Sequence, residues 1–390
     1  MKKIKIALVG AFDRNNFGDV LMPIVFKKQL LKSIDETEFE LVFNYYSSTS
    51  SNMEYIKGEN SQNISFLYKE KNDVVIIVGG DVLASNYTMM YMSSQKSHIK
   101  YFMLRLINKF FPSWFESVAK RKLFGRTPQP WIFDKDMLMC NRLIYNTVGG
   151  TIFNEQFIDR IDFISIRNSI DYEKVKSINA NSFFSPDSMT LTSKIIEESE
   201  INENTSDFIK NKLQSPYIII QMNNSIGESI YKTVILEIKK IIFETNYNVV
   251  LLPIGFAPMH DDQVVLKKIF REFKNRVILM PEINVYETLY TLKHSFYFIG
   301  TSLHGIVLSE SFGIPYVLLT NKLRKLNNYL HDWNYIDPFY IDPSFIYSNF
   351  VSFLKNRDYL VKELMRVRTK HFKLVEKNFD LINQIIKNAI

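Results

Sequence analysis

The chain has 390 residues, 46% hydrophobic and 23% charged, with no apolar run near the ~18–20 residues a bilayer span needs; this is the composition of a soluble globular protein with room for two cores. Cys140 is its one cysteine, which excludes an intrachain disulfide and a multi-cysteine metal site and fits a reducing cytoplasm. A net charge of +7, from 48 Lys+Arg against 41 Asp+Glu, suits anionic partners, but neither a zinc-finger spacing nor an RNP-type strand is present, so nucleic acid is not expected.

The opening "MKKIKIALVGAFDRNN" places basic residues before an apolar run, as a signal peptide would. That run stops at Asp13 without a small-residue cleavage site, so it reads as a buried first strand. Further buried strands follow at "ELVFNY" (40–45), "DVVIIVGG" (73–80), "LIYNTVGG" (143–150) and "DFISIR" (162–167). Helix-like stretches separate them, such as 20–33, and this alternation predicts a parallel sheet covered on both faces. The polar stretch 193–215 is the expected boundary. The alternation then restarts with "YIIIQM" (217–222), "NVVLLPIG" (248–255), "RVILM" (276–280), "FYFIG" (296–300) and "PYVLLT" (315–320). Helices are expected near 228–245, 261–272 and 284–294, and again after residue 300. From about 350 to 390 there is no strand signal, and Phe353, Leu360, Leu364, Val367, Phe372, Val375, Phe379 and Ile382 are spaced as a helical stripe.

Residues 100–126 fit the alternation poorly. They hold seven Lys or Arg, seven aromatics and a single acid, Glu116. A helical hairpin packed on its own domain is the plain expectation; peripheral contact with anionic lipid is the sharper one.

In a doubly wound sheet, ligands bind beyond the carboxyl ends of strands. Four such loops are rich in small or polar residues: Gly10 to Asp19, with Asn16 and Gly18; Gly79-Gly80-Asp81; Gly149-Gly150-Thr151; and Gly300 to Gly305. Glycine lets backbone approach a ligand, and helix starts attract anions. The loops "NFGDVLMP" (16–23) and "GTSLHG" (300–305) are expected to face each other across one cleft. Neither matches a dinucleotide or P-loop fingerprint, which argues against NAD and ATP chemistry.

His304 lies at a strand end and a helix start, where neighbouring dipoles and charges can tune its proton. Arg167, ending its strand, can grip phosphate or carboxylate at two points. Asp187 follows Pro186 at another strand end. For "HDD" at 260–262, a helix N-cap is a simpler account than a metal site.

At these residues the sequence resembles the polysaccharide pyruvyl transferase family. The matching features are the "NFGD" loop, "IIVGGDVL", "TVGGT", "SIR", "SPD", "LLPIGFAPMHDD" and "IGTSLHGIVLSESFGIPYVLL", in the family's order over roughly residues 5 to 320. The resemblance implies an α/β protein of two Rossmann-like domains, GT-B-like, with the active site between the lobes and a C-terminal helix bracing the first domain. The expected division is an N-terminal, acceptor-side domain at 1–195, a C-terminal, donor-side domain at 216–345, and the returning helix at 350–390. It implies transfer of pyruvate from phosphoenolpyruvate to a sugar of a surface polysaccharide or its lipid-linked precursor, as a ketal. Neither a cofactor nor a metal is expected, and the expected location is the cytoplasm, with peripheral contact at the inner membrane face.

In this reading His304 is the general acid, and Arg167, Ser302 and Gly305 bind the donor. Many relatives carry arginine two positions before the histidine, where this chain has Ser302; Lys322 and Arg324, after "PYVLLT", are expected to supply the charge instead. The alternative is a GT-B-type glycosyltransferase with a nucleotide-sugar donor, in which Glu310 would bind the donor ribose.

Overall fold

The computed structural model describes residues 2–389 except 35–36, 96, 151–154, 258–260 and 274. Thr151, His260 and the side chain of His98 therefore lie outside the described residues.

The chain divides into two compact units, and both are discontinuous in sequence: the first comprises Met1–Asn15, Asp19–Ser188 and Lys373–Ile390, the second Asn16–Gly18 and Met189–Phe372. The first unit is built on seven strands: β1 (Lys2–Val9), β2 (Phe39–Ser47), β3 (Gln62–Asn63), β4 (Val74–Ile77), β5 (Arg142–Val148), β6 (Phe163–Ile166) and β7 (Ser182–Phe184). Every pairing is parallel, in the order β3-β2-β1-β4-β5-β6-β7. Its helices are α1 (Phe17–Ser33), α2 (Tyr87–Ser93), α3 (His98–Phe110), α4 (Pro112–Lys122) and α5 (Ser169–Ile178), of which α1 begins in residues grouped with the second unit. The central strands read as unbroken Val and Ile runs because both faces are covered: all four residues of β4 are buried.

The second unit repeats the scheme with β8 (Tyr217–Ile220), β9 (Asn248–Leu251), β10 (Val277–Leu279), β11 (Phe298–Gly300) and β12 (Tyr316–Leu318). They form a five-stranded parallel sheet in the order β10-β9-β8-β11-β12. Its helices are α6 (Thr192–Ile195), α7 (Glu198–Glu203), α8 (Asp207–Lys212), α9 (Asn224–Glu244), α10 (Gln263–Phe270), α11 (Val285–Lys293), α12 (Leu303–Phe312) and α13 (Arg324–Trp333). Each sheet starts in its middle and reverses direction once, so each has one switch point: β1/β4 in the first unit and β8/β11 in the second.

The polar stretch 193–215 differs from expectation. It is no linker, since the chain leaves the first unit at Ser188 and the stretch folds into α6, α7 and α8 of the second. Its polar side chains are spent on contacts with α11: Ser206 Oγ donates to Glu287 at 2.6 Å, Tyr286 donates to Glu200 at 2.7 Å, and Lys293 pairs with Glu198 at 2.6 Å.

The last helix, α14 (Ile346–Lys387), departs from helical backbone at Asn356. Its first part supplies Phe350 and Phe353 to the second core, where Phe353 stacks on Tyr297 with centroids 4.3 Å apart. From Lys373 onward it belongs to the first unit, where Phe379 meets Phe26 at 5.2 Å and Asn378 donates to Asn146 at 2.8 Å.

Candidate functional site

In the second unit, the switch point gathers polar groups at the carboxyl ends of β8 and β11. Gln221, one residue past β8, accepts the Thr301 N–H at 2.9 Å through its carbonyl and donates its amide to Asp262 at 2.8 Å. The Asn223 N–H donates to Thr301 Oγ1 at 2.9 Å. Two strand ends are thereby tied together beneath the start of α12, which carries His304 in its first turn.

His304 is buried, with 7% of its surface exposed. Its ring lies against Gly18, and a β-carbon built there would overlap Nδ1, Cγ and Cε1 of the imidazole. The tip Asn16–Gly18 is fixed on this unit by backbone: Phe17 N–H donates to Ile254 O at 2.9 Å, and Asn16 bridges to Gly255. The two loops singled out in the sequence thus meet directly, with glycine required by the contact. Gly305 is small for another reason, since a β-carbon there would overlap the Phe298 ring. Ser302 is the N-cap of α12, its hydroxyl accepting the Gly305 N–H at 3.3 Å. Serine at this position therefore has a local structural use. Lys322 and Arg324 are exposed beyond the carboxyl end of β12, the strand beside β11; Arg324 opens α13.

Asp262 does not cap α10 through its side chain. Its Oδ2 instead accepts the N–H groups of Ile254 at 3.0 Å and Gly255 at 3.2 Å as well as the Gln221 amide, and burial pushes its pKa up to about 7 despite these donors. Among the described residues, no group of three or more His, Cys, Asp or Glu is placed to hold a metal ion.

Glu310 differs from the expected cleft-facing role. It is on the buried side of α12, where its Oε1 lies 2.6 Å from His371 Nδ1 and its Oε2 accepts from Tyr316 at 3.4 Å. Trp333 packs edge-on against the His371 ring at 5.1 Å. The carboxylate is enclosed by its own unit, so no ribose contact is assigned to it. His371 had no signal in its local sequence; it is found only when α14 is laid against α12.

The first unit has a separate polar cluster at the ends of β4 to β7. Gly79, Gly80 and Gly150 adopt positive φ of 126°, 91° and 105°, which lets the chain turn sharply after β4 and β5. Gly149 N–H donates to Gly80 O at 2.9 Å, and Gly150 N–H to Asp171 at 3.0 Å. Arg167, at the end of β6, is clamped between two carboxylates, donating through one terminal nitrogen to Asp187 at 2.7 Å and through the other to Asp81 at 2.5 Å. Burial opposes its charge, but the two acids outweigh it and raise its pKa above the ordinary arginine value. A donor anion would have to compete with these partners, so the expected grip on the donor is not what the side chain does here. Asp187 is buried, whereas the Asp81 side chain keeps 32% of its surface exposed and is the cluster's outward face. Asp19 pairs with Arg14 at 2.9 Å, an ion pair within the loop after β1.

Comparison with known proteins agrees with the resemblance over part of the chain. The family model described as polysaccharide pyruvyl transferase, a transferase family, matches residues 155–322, a span that holds Arg167, Asp187, Asp262 and His304. No curated protein matches the sequence. A solved structure from Listeria monocytogenes, described as a candidate UDP-N-acetylglucosamine 2-epimerase, is similar with a TM-score of 0.59 at 11% identity, over 97% of this chain and 97% of that one. The S. aureus MnaA–UDP co-structure gives 0.57 at 11% identity, over 100% and 98% of the two chains. A UDP-GlcNAc 2-epimerase from Neisseria meningitidis bound to UDP-GlcNAc gives 0.53 at 11%, over 96% and 100%. At such identities the likeness concerns fold alone: two Rossmann-like units of GT-B type.

Proposed function

We propose that the chain is a pyruvyl transferase that moves pyruvate from phosphoenolpyruvate onto two hydroxyls of a glycan sugar as a ketal. The observation that carries this reading is the placement of His304, within the matched segment, at a helix start beyond the carboxyl end of β11. Phosphoenolpyruvate carries a phosphate and a carboxylate. The start of α12 turns the positive end of its helix dipole outward from β11, and Lys322 and Arg324 at the neighbouring strand end offer positive charge.

In the proposed reaction His304 gives a proton to the methylene carbon, and the resulting cation at C2 is attacked by the first sugar hydroxyl, which loses its proton. Loss of phosphate regenerates an oxocarbenium centre, and the second hydroxyl closes the ketal and releases its proton. One hydroxyl proton restores His304 and the other leaves with the departing phosphate. No cofactor is assigned beyond the co-substrate. The acceptor is assigned only as a surface-glycan sugar or its lipid-linked precursor.

The test is incubation with phosphoenolpyruvate and candidate glycans, followed for free phosphate and for the mass of one pyruvyl ketal on the acceptor. His304→Ala should release phosphate about 10²–10⁴-fold more slowly. Thermal shift provides the second arm: phosphoenolpyruvate should stabilise the protein. Stabilisation by UDP- or GDP-sugars alone, without phosphate release, would turn the assignment to a glycosyltransferase.

A further inference from the structure

From its helical periodicity and charge we infer that the α3–α4 hairpin is a docking face for an anionic lipid bilayer. This surface is independent of the chemistry proposed above.

An amphipathic helix of a globular protein normally turns its apolar stripe inward. Helix α3 does the reverse. Ile99, Phe102, Met103, Leu106, Ile107 and Phe110 are all exposed, Ile99 at 76% and Phe110 at 70%. At ~100° per residue they fall within an arc of about 140°. The inward side carries Tyr101, Leu104 and Asn108, each only half-buried. The apolar face continues across the turn into α4, where Phe111 is 63% and Trp114 60% exposed. The hairpin is nevertheless well anchored to its own unit, because Phe115 and Ala119 on the other side of α4 are buried and Phe115 meets Tyr91 at 6.1 Å.

The charges are arranged to match. Lys100 lies on one flank of the α3 stripe, Arg105 and Lys109 on the other, where long side chains can reach headgroups while the stripe sits deeper. Arg121 and Lys122 are exposed in the last turn of α4. Glu116, the one acid in the segment, faces its own fold and accepts the N–H groups of Tyr87 at 2.9 Å and Thr88 at 2.7 Å at the start of α2. The outward face thus combines aromatic and aliphatic side chains with positive charge alone. That is the pattern that binds the headgroup layer of an anionic membrane. A second copy of the same hairpin would set like charges against each other, which disfavours self-association through this face. No described helix is long and apolar enough to cross a membrane, so the contact is peripheral.

The test is co-sedimentation of the full chain with phosphatidylcholine vesicles, with and without phosphatidylglycerol. Wild type should partition onto the anionic vesicles and be released by high salt. Lys100→Glu with Lys109→Glu should weaken that binding at least about 25-fold, from roughly fivefold per charge removed. Phe110→Ser with Trp114→Ser should weaken it even at low salt, because the stripe no longer inserts. All four substitutions replace exposed side chains, and a thermal melt checks that each variant folds. Equal partition of wild type onto neutral and anionic vesicles, or onto neither, overturns the inference without any variant. A dimer in sedimentation velocity that Phe110→Ser with Trp114→Ser dissolves would overturn it too.

Discussion

Gly18 and His304 share one space: a side chain on the glycine would occupy the position of the imidazole. The histidine is therefore oriented by a backbone placed against it, as the proton delivery proposed for it would require. Gly18→Ala should push the ring aside, and a displacement near 1 Å can cost about 100-fold in rate. Phosphate release should fall in kcat more than KM rises. In the His304→Ala background the same change should add nothing further, because ring and clash are gone together. A Gly18→Ala enzyme with the wild-type rate would remove the contact from the mechanism.

Lys322 and Arg324 are exposed cations beyond β12, and replacing both with alanine should raise the KM for phosphoenolpyruvate by about tenfold, the scale of one charge-assisted hydrogen bond. Their effect on kcat should be smaller. An unchanged KM takes them out of donor binding.

The two acids on Arg167 should behave differently when deleted. Asp187 is buried with the guanidinium, so Asp187→Ala leaves Arg167 one carboxylate, Asp81, and an unsatisfied charged donor in the interior, and should cost about 3 kcal/mol in urea unfolding. Asp81 is partly in water, and Asp81→Ala should cost less, about 1–2 kcal/mol. Equal destabilisation by the two variants would contradict this division.

Asp262 gives a pH signature with a definite sign. Its pKa is raised on folding, from 3.8 to about 7, because burial penalises the ion. Between those values the unfolded chain gives up a proton that the folded chain keeps, so stability falls as pH rises, by about 1.4 kcal/mol per pH unit at most. Below the unfolded value the contribution is fully present. Asp262→Asn cannot ionise, and its melting temperature relative to wild type should climb from pH 4 to 7. Parallel pH profiles for the two proteins would show that the carboxylate is ionised throughout.

Much of the fold was legible because parallel strands covered on both faces leave unbroken runs of Val and Ile, as at "VVII" in β4 and "YIII" in β8. The short edge strands β3 and β7 have no such run; β3 was not expected, and β7 was marked only by the strand end before Pro186 and Asp187. Helix α13 was missed as well, although the loop before it was marked by Lys322 and Arg324. The site was legible as positions more than as partners. His304 and Arg167 stand at strand ends that sequence alone identified, but what they touch depends on distant segments: Arg167 reaches Asp81 across 86 residues, and Glu310 reaches His371 across 61. Asp262 shows the same gap at short range. "HDD" before a helix looks like a cap, yet the carboxylate turns back to the N–H groups of Ile254 and Gly255. Ser302 shows the opposite case, a residue that seemed a missing cation and proves to be the cap of α12.

The discontinuity of the first unit bears on the order of events during synthesis. Its sheet strands are translated early, but Val375, Phe379, Ile382 and Ile386, all fully buried, come about 190 residues after Ser188. Until the ribosome has made that stretch, the nascent N-terminal half keeps part of its interior open to solvent. It must wait, or be shielded by a chaperone, while the other unit forms.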